Sequence, residues 1–284
     1  MREALFCIAY KNNKIIIFLN FTSVKANHFL ILLAFIICGI LACEQFAEDS
    51  GKKKLAVVPA AVTEVPDDTA IVEDELPLPL VISPIEKKMR KAGLVDIGIL
   101  DTSIIVDLKY STVNNFLGMD VYGDYDKCFL LPEVAEKLMC AQEILRFRFP
   151  FYRLVVFDAV RPRSVQLKMW DSINVPYYER SKYVSNPANG SLHNFGAAVD
   201  VSIMDEHGIE LDMGTPYDYF GELAYPREEE RMLEEGKLTH IQFLNRELLR
   251  NVMEEAGFMG ITTEWWHFNS CFRTEAYEKY RIIE

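Results

Sequence analysis

The sequence predicts an α+β domain in which a central antiparallel or mixed sheet is flanked by helices. Three observations carry this. Short β-favouring segments recur at 104–109, 154–158, 197–203 and 264–268. Between them, 132–146 holds apolar residues at helical spacing, with Val134, Leu138, Ala141 and Leu145 on one face. A second helical stretch spans 245–256, and no internal repeat is evident.

Taken in order, the chain opens with a targeting region. Phe29 to Ala42 is an unbroken apolar run of fourteen residues preceded by Lys25 and ending at Cys43. That length suits a signal-peptide core and falls short of the roughly 20 residues needed to span a bilayer. The small Ala42 before the cysteine points to a bacterial lipoprotein signal over 1–43 with Cys43 as the lipidated N-terminus, although Leu41 is unusual at its position; an uncleaved anchor is the alternative. A second apolar run, Ile15 to Phe21, precedes a signal that is already sufficient, and initiation at Val24 would leave a signal peptide of ordinary form. The expected location is extracytoplasmic, in the periplasm or cell envelope, with the membrane reached through the anchor.

Residues 44–83 read as an acidic, proline-containing linker. Pro59, Pro66, Pro77 and Pro79 interrupt acidic clusters at Glu48-Asp49, Asp67-Asp68 and Glu73-Asp74-Glu75, and no helical or strand period is maintained. Residues 84–284 are long enough for one catalytic domain with a substantial core.

Within that domain, Pro132 opens the first helix. Leu154-Val155-Val156-Phe157 reads as a buried strand, with Pro162 suited to the first turn of the helix after it. From Ala197 to Ile203 the chain alternates: Val199, Val201 and Ile203 form a core face, while Ala198, Asp200 and Ser202 form a small polar face on which Asp200 would meet an uncrowded cleft. Gly196 permits the tight entry that brings His193 back beside Asp200. Asn245 is the expected N-cap of the second helix and Gly257 its stop.

Charge and cysteines exclude some functions. The net charge is -12, and residues 1–42 hold four basic side chains against one acidic, so the remainder carries -15. A phosphate backbone would be repelled, which argues against nucleic acid as a partner. Cys128, Cys140 and Cys271 lack zinc-ribbon spacing, and packing is the default for all three.

The chemistry-bearing residues lie in Ser191-Leu192-His193-Asn194-Phe195-Gly196-Ala197-Ala198-Val199-Asp200 and in Glu264-Trp265-Trp266-His267. Together these supply two imidazoles, a carboxylate and a spare glutamate. Zinc hydrolases commonly use three protein ligands, an open fourth position and an unligated carboxylate as base. Each piece alone is more often structural: a histidine beside a glycine is usually a hydrogen-bonded core residue, and Trp265-Trp266 is usually packing. The joint pattern is more specific. His28, His207 and His240 have no second histidine or carboxylate at useful spacing.

The pattern S-x-H-x-x-G-x-A-x-D followed by E-W-W-H resembles the D-alanyl-D-alanine dipeptidases of vancomycin resistance, within the wider group of zinc D,D-peptidases. Asp107 to Thr112, Asn115-Phe116, Val121-Tyr122-Gly123 and Asp158-Ala159-Val160-Arg161-Pro162 agree with further blocks of that family, and the similarity runs from about 95 to 275. Val160 stands where an aromatic is usual, which leaves the lining of that part of the cleft open. The resemblance implies the hedgehog-like zinc D,D-peptidase fold, with one zinc ion per chain bound by His193, Asp200 and His267. It further implies Glu264 as the base that takes a proton from the attacking water and returns it to the leaving amine, and Arg161 as the oxyanion stabiliser. Ser191 and Asp218 are its candidates for holding the substrate ammonium; Asp218 alone would equally serve as a turn residue.

Three functions follow from that resemblance and stay open at this point. The first is hydrolysis of the D-Ala-D-Ala dipeptide, the second a D,D-carboxypeptidase acting on peptidoglycan stem peptides, and the third a zinc-binding domain without catalysis. Glu264 and Arg161 weigh against the third, because a structural zinc site needs neither an open position nor a base.

Overall fold

A computed structural model describes residues 82–284, together with the backbone of two strands, β1 (Phe6–Lys11) and β2 (Lys14–Leu19), which pair antiparallel as a unit of their own. Cys43, the rest of the signal segment and nearly all of the 44–83 linker lie outside the described residues. Among the described residues, no helix is long and apolar enough to cross a membrane.

Residues 82–284 open with α1 (Pro84–Lys91), capped by the Ser83 side chain and carrying Pro84 in its first turn. β3 (Val95–Asp96) pairs antiparallel with β5 (Phe129–Leu130), and the single turn α2 (Ile97–Leu100) follows β3. The main sheet has five strands in the order β4 (Ile105–Val106), β6 (Arg153–Asp158), β7 (Ala198–Met204), β9 (His267–Asn269) and β8 (Met259–Gly260). β4 runs parallel to β6 and every other pairing is antiparallel, so the expected mixed sheet is present.

Two long helices, α3 (Pro132–Arg148) and α6 (His240–Glu255), pack on each other, and α3 also packs on β6. The face expected for α3 is the one observed: Val134, Leu138, Ala141 and Leu145 are all buried. Each leucine so buried contributes about 1.5–3 kcal/mol. The remaining helices are α4 (Arg163–Ser172), α5 (Glu229–Glu234) and α7 (Arg273–Lys279).

Three expectations need correction. The second helix begins at His240, five residues before Asn245, because Thr239 caps it: the Thr239 side chain accepts from Gln242 N while the Gln242 side chain accepts from Thr239 N. Gly257 lies just past its end at φ 87, as expected. The last strand is only His267–Asn269, which leaves Glu264, Trp265 and Trp266 in the bend before it. Pro162 sits at the N-cap of α4 rather than inside its first turn. Both faces of β7 are buried from Ala198 to Ile203, and Asp200 still lines the site cavity, as expected of its small polar face.

No disulfide joins Cys128, Cys140 or Cys271. Val160 is fully buried and packs beside Gly196, so its departure from the family pattern does not alter the cleft wall.

Candidate active site

Strand register assembles the site. Asp158 on β6 stands opposite Asp200 on β7, and Asp200 stands opposite His267 on β9, which puts three functional side chains in one row across three adjacent strands. His193 reaches the row from the 3₁₀ turn Leu192–Phe195, which ends at Gly196 with φ 70. A side chain at Gly196 would be strained at that φ, and its Cβ would meet Leu94 at 3.2 Å and the Leu131 backbone nitrogen at 3.4 Å. The glycine therefore permits both the turn and the close approach.

Three donor atoms converge at this row. His193 Nε2 is 3.4 Å from Asp200 Oδ1 and 3.2 Å from His267 Nδ1, and His267 Nδ1 is 2.9 Å from Asp200 Oδ1. The far nitrogens are engaged elsewhere: His193 Nδ1 donates to Ala159 O at 2.7 Å, and His267 Nε2 donates to Asn269 Oδ1 at 2.9 Å. Those acceptors fix the tautomers that aim both ring lone pairs at Asp200. Three converging lone pairs repel one another unless a cation lies among them. Ligand atoms at tetrahedral zinc, bonded at about 2.0–2.2 Å, lie roughly 3.3–3.5 Å apart. The donor set and its spacing thus fit a metal held by His193, Asp200 and His267, the three residues expected.

Electrostatics agree. Burial pushes the Asp200 carboxyl up, but the charges and hydrogen bonds of His193 and His267 outweigh it and hold the group far below the ordinary range. Burial opposes a charge on His267, yet Asp200 lifts it to about 9, so a proton on Nδ1 is the cation that a bound metal would displace. Tyr217 donates from its hydroxyl to Asp200 Oδ2 at 2.8 Å, so the oxygen turned away from the imidazoles is also satisfied.

Glu264 lies beside this set without joining it. Its Oε2 is 3.9 Å from His267 Nδ1, and 31% of its side-chain surface is open because it faces a cavity of about 420 Å³. Burial raises its carboxyl above the usual range, with the His267 charge opposing.

Arg161 is buried at the end of β6, where Nε and Nη2 both donate to Asp158 Oδ2, the former at 3.0 Å. Its guanidinium lies 5.0 Å over the Tyr110 ring. Burial disfavours its charge, but Asp158 more than restores it. Asp158 is a hub: Tyr122 donates to its Oδ1, and His193 Nδ1 lies 3.5 Å from Oδ2.

The two expected substrate contacts also line the cavity. Ser191 donates to Gln166 Oε1 at 2.9 Å. Asp218, the one non-glycine residue with positive φ among the described residues (62°), accepts from Tyr110 at 3.0 Å through Oδ1, while its buried Oδ2 has no protein partner. Burial, then the charge of Asp200, pushes its carboxyl well up. A residue outside glycine in that backbone region is held there by its surroundings.

Trp265 and Trp266 pack edge to face at 5.3 Å, and Trp265 Nε1 donates to Thr215 Oγ1 at 2.8 Å, as the packing interpretation expects. Sequence reasoning missed the supporting roles of Asp158, Tyr217, Tyr110 and Asn269. Asn269 had a usable signal, since it lies two residues past His267 and so shares its strand face. Tyr217 and Tyr110 had none, because they meet their partners across 17 and 108 residues.

A His-Asp-His set able to hold a metal ion, a separate carboxylate and a cavity-facing arginine thus share one cavity at the end of a mixed sheet. The family model described as D-Ala-D-Ala dipeptidase, peptidase M15, matches residues 90–280, and the chain belongs to that peptidase family. It is 32% identical over 175 residues to the D-alanyl-D-alanine dipeptidase of Escherichia coli (strain K12), covering 62% of this chain and 83% of that protein. It is 30% identical over 177 residues to the D-alanyl-D-alanine dipeptidase of Enterococcus faecium, covering 57% of this chain and 83% of the relative.

Proposed function

We propose that the chain is a zinc-dependent dipeptidase that hydrolyses D-Ala-D-Ala in the turnover of cell-wall peptides. The observation that carries this reading is the convergence of three lone pairs from His193, Asp200 and His267 beside the unligated carboxylate of Glu264. His193, Asp200 and His267 would hold the zinc ion, which when bound would supply Lewis-acid chemistry to water and the scissile carbonyl.

The remaining steps belong to side chains. Glu264 accepts the proton of the attacking water and returns it to the leaving amine, and its raised pKa suits a carboxyl that must hold a proton between the two transfers. Arg161, locked by Asp158, offers its remaining donor to the carbonyl oxygen as negative charge develops. The unpartnered Oδ2 of Asp218 accepts from the substrate ammonium, which also returns that carboxyl to its charged form. Ser191 spends its proton on Gln166 and keeps lone pairs for the same ammonium.

The aromatic side chains of Tyr110, Tyr183 and Phe220 line the cavity with Asp218, and Phe220 packs at 4.9 Å on both Phe116 and Tyr183. A carboxylate in such a wall suits a terminal ammonium better than a continuing peptide chain, which favours the dipeptide over stem peptides. Anchored through Cys43 outside the cytoplasm, the enzyme would salvage or remodel wall peptides; destruction of the dipeptide before its incorporation is a cytoplasmic task.

The test offers the zinc-loaded protein D-Ala-D-Ala, L-Ala-L-Ala and a muramyl pentapeptide. Rapid hydrolysis of D-Ala-D-Ala alone is expected, whereas alanine released only from the pentapeptide would establish the carboxypeptidase. Glu264→Gln should keep zinc and fold yet lose turnover by roughly 10²–10⁴-fold. Loss of zinc from that variant would mean that Glu264 is a ligand.

A further inference from the structure

A dipeptide carries a free carboxylate as well as a free ammonium, and neither Asp218 nor Ser191 can hold the carboxylate. We propose that Arg273 does, and that it selects substrates ending in a free carboxylate at this position. The inference rests on the dipeptidase reading.

Two arginines line the cavity, Arg161 and Arg273, and no lysine does. Arg161 is already neutralised by Asp158. Arg273 has no carboxylate within ion-pairing distance among the described residues, so its charge is the cavity's one uncompensated cation in a lining that also holds Asp200, Asp218 and Glu264. An anionic group entering this cavity finds its attraction at Arg273 and none at the three carboxyls.

The guanidinium is also held in place. Its Nη2 donates to Asn189 O and to Gly190 O, the latter at 3.1 Å, and its Cζ lies 5.7 Å over the Tyr277 ring. Tyr277 donates to the same Asn189 carbonyl, so α7 and the 189–190 turn brace each other just before Ser191. Nη2, the nitrogen common to both two-donor edges of a guanidinium, is thus fixed to main chain, and Nε or Nη1 remains to give a carboxylate a single charge-assisted bond. An arginine pre-oriented in this way meets a carboxylate with full charge and a neutral amide without that gain. Asp218 is held by Tyr110, and no ion pair joins it to Arg273 among the described residues, so the two groups stay available for the two ends of the substrate.

The experiment compares D-Ala-D-Ala with its C-terminal amide, D-Ala-D-Ala-NH₂, on wild type, Arg273→Gln and Arg273→Lys, with zinc content and thermal unfolding measured for each. Wild type should favour the free acid in kcat/KM by roughly ten- to a hundred-fold, the size of a charge-assisted interaction. Arg273→Gln can still donate to the 189–190 carbonyls, so it should keep zinc and fold, lose most of that preference through a raised KM for the acid, and leave the amide little changed. Arg273→Lys, which retains the charge without the main-chain brace, should keep part of the preference. A purely structural role would lower both substrates together and leave their ratio intact, which overturns the proposal, as does full preference in zinc-replete Arg273→Gln. Wild type that cleaves neither compound overturns the dipeptidase reading itself, and the role of Arg273 with it.

Discussion

Among the described residues two arginines are buried against carboxylates, and they do different things. Arg161 gives Nε and Nη2 to a single carboxylate, Asp158, and lines the cavity. Arg246 on α6 donates Nε to Met213 O at 2.6 Å and Nη2 to Leu223 O at 2.9 Å, and its Nη1 lies 3.5 Å from Glu229 Oε1. The first is balanced by an adjacent charge and stays firmly protonated; the second, held mostly by carbonyl dipoles, has its pKa lowered by burial. A guanidinium whose donors end on main chain from both ends of a loop is a clamp. The loop in question, 213–223, carries Tyr217 and Asp218, so Arg246 supports the site without touching it. Burial and charge alone do not separate the two; the identity of the acceptors does.

The difference between the two arginines should show most in stability. Arg246→Ala leaves Glu229 with Arg250 as its remaining partner and frees both loop carbonyls, so unfolding should become easier by about 3–5 kcal/mol. Urea melts measure this, and an unchanged midpoint would show that the clamp is idle. Whatever folded protein remains should show a raised KM, because the Asp218 loop has lost its tie.

Arg161→Lys tests the other side. A lysine still balances Asp158 but provides no second prong for the carbonyl oxygen, so kcat should fall by about 10²–10³-fold, equivalent to about 2.7–4 kcal/mol, while stability changes less than in Arg246→Ala. Arg161→Ala is a poorer test, since it would strand the buried Asp158 and mix catalytic loss with unfolding. Normal turnover per folded molecule combined with a large loss of stability in Arg161→Lys would make the two arginines alike.

The smallest effect concerns the helix that carries the clamp. Thr239→Ala removes the cap of α6 and should cost about 1 kcal/mol, with kcat preserved, as read from thermal melts alongside steady-state kinetics. A drop in kcat without loss of stability would tie the helix start to the chemistry instead.

The segments whose partners are close along the chain are legible in the sequence alone. Alternation from 197 to 203 marks β7, helical spacing marks α3, and Gly196 marks the turn that returns His193 toward Asp200. Glu264 and His267 stand out because a carboxylate three positions before a histidine is read from one short stretch. Where two local signals compete, the sequence misleads: Asn245 is a good cap by residue type, but Thr239 with Gln242 makes the reciprocal pair that starts the helix. Strand register across β6, β7 and β9 is decided only by the tertiary structure, and that register aligns Asp158 with Asp200 and Asp200 with His267. The same holds for Tyr110 on Asp218, Tyr217 on Asp200, and Arg273 over the 189–190 turn. Periodicity and capping report interactions within a few residues along the chain. Contacts between distant segments depend on how helices and sheet close on a common core, and no local pattern encodes that closure.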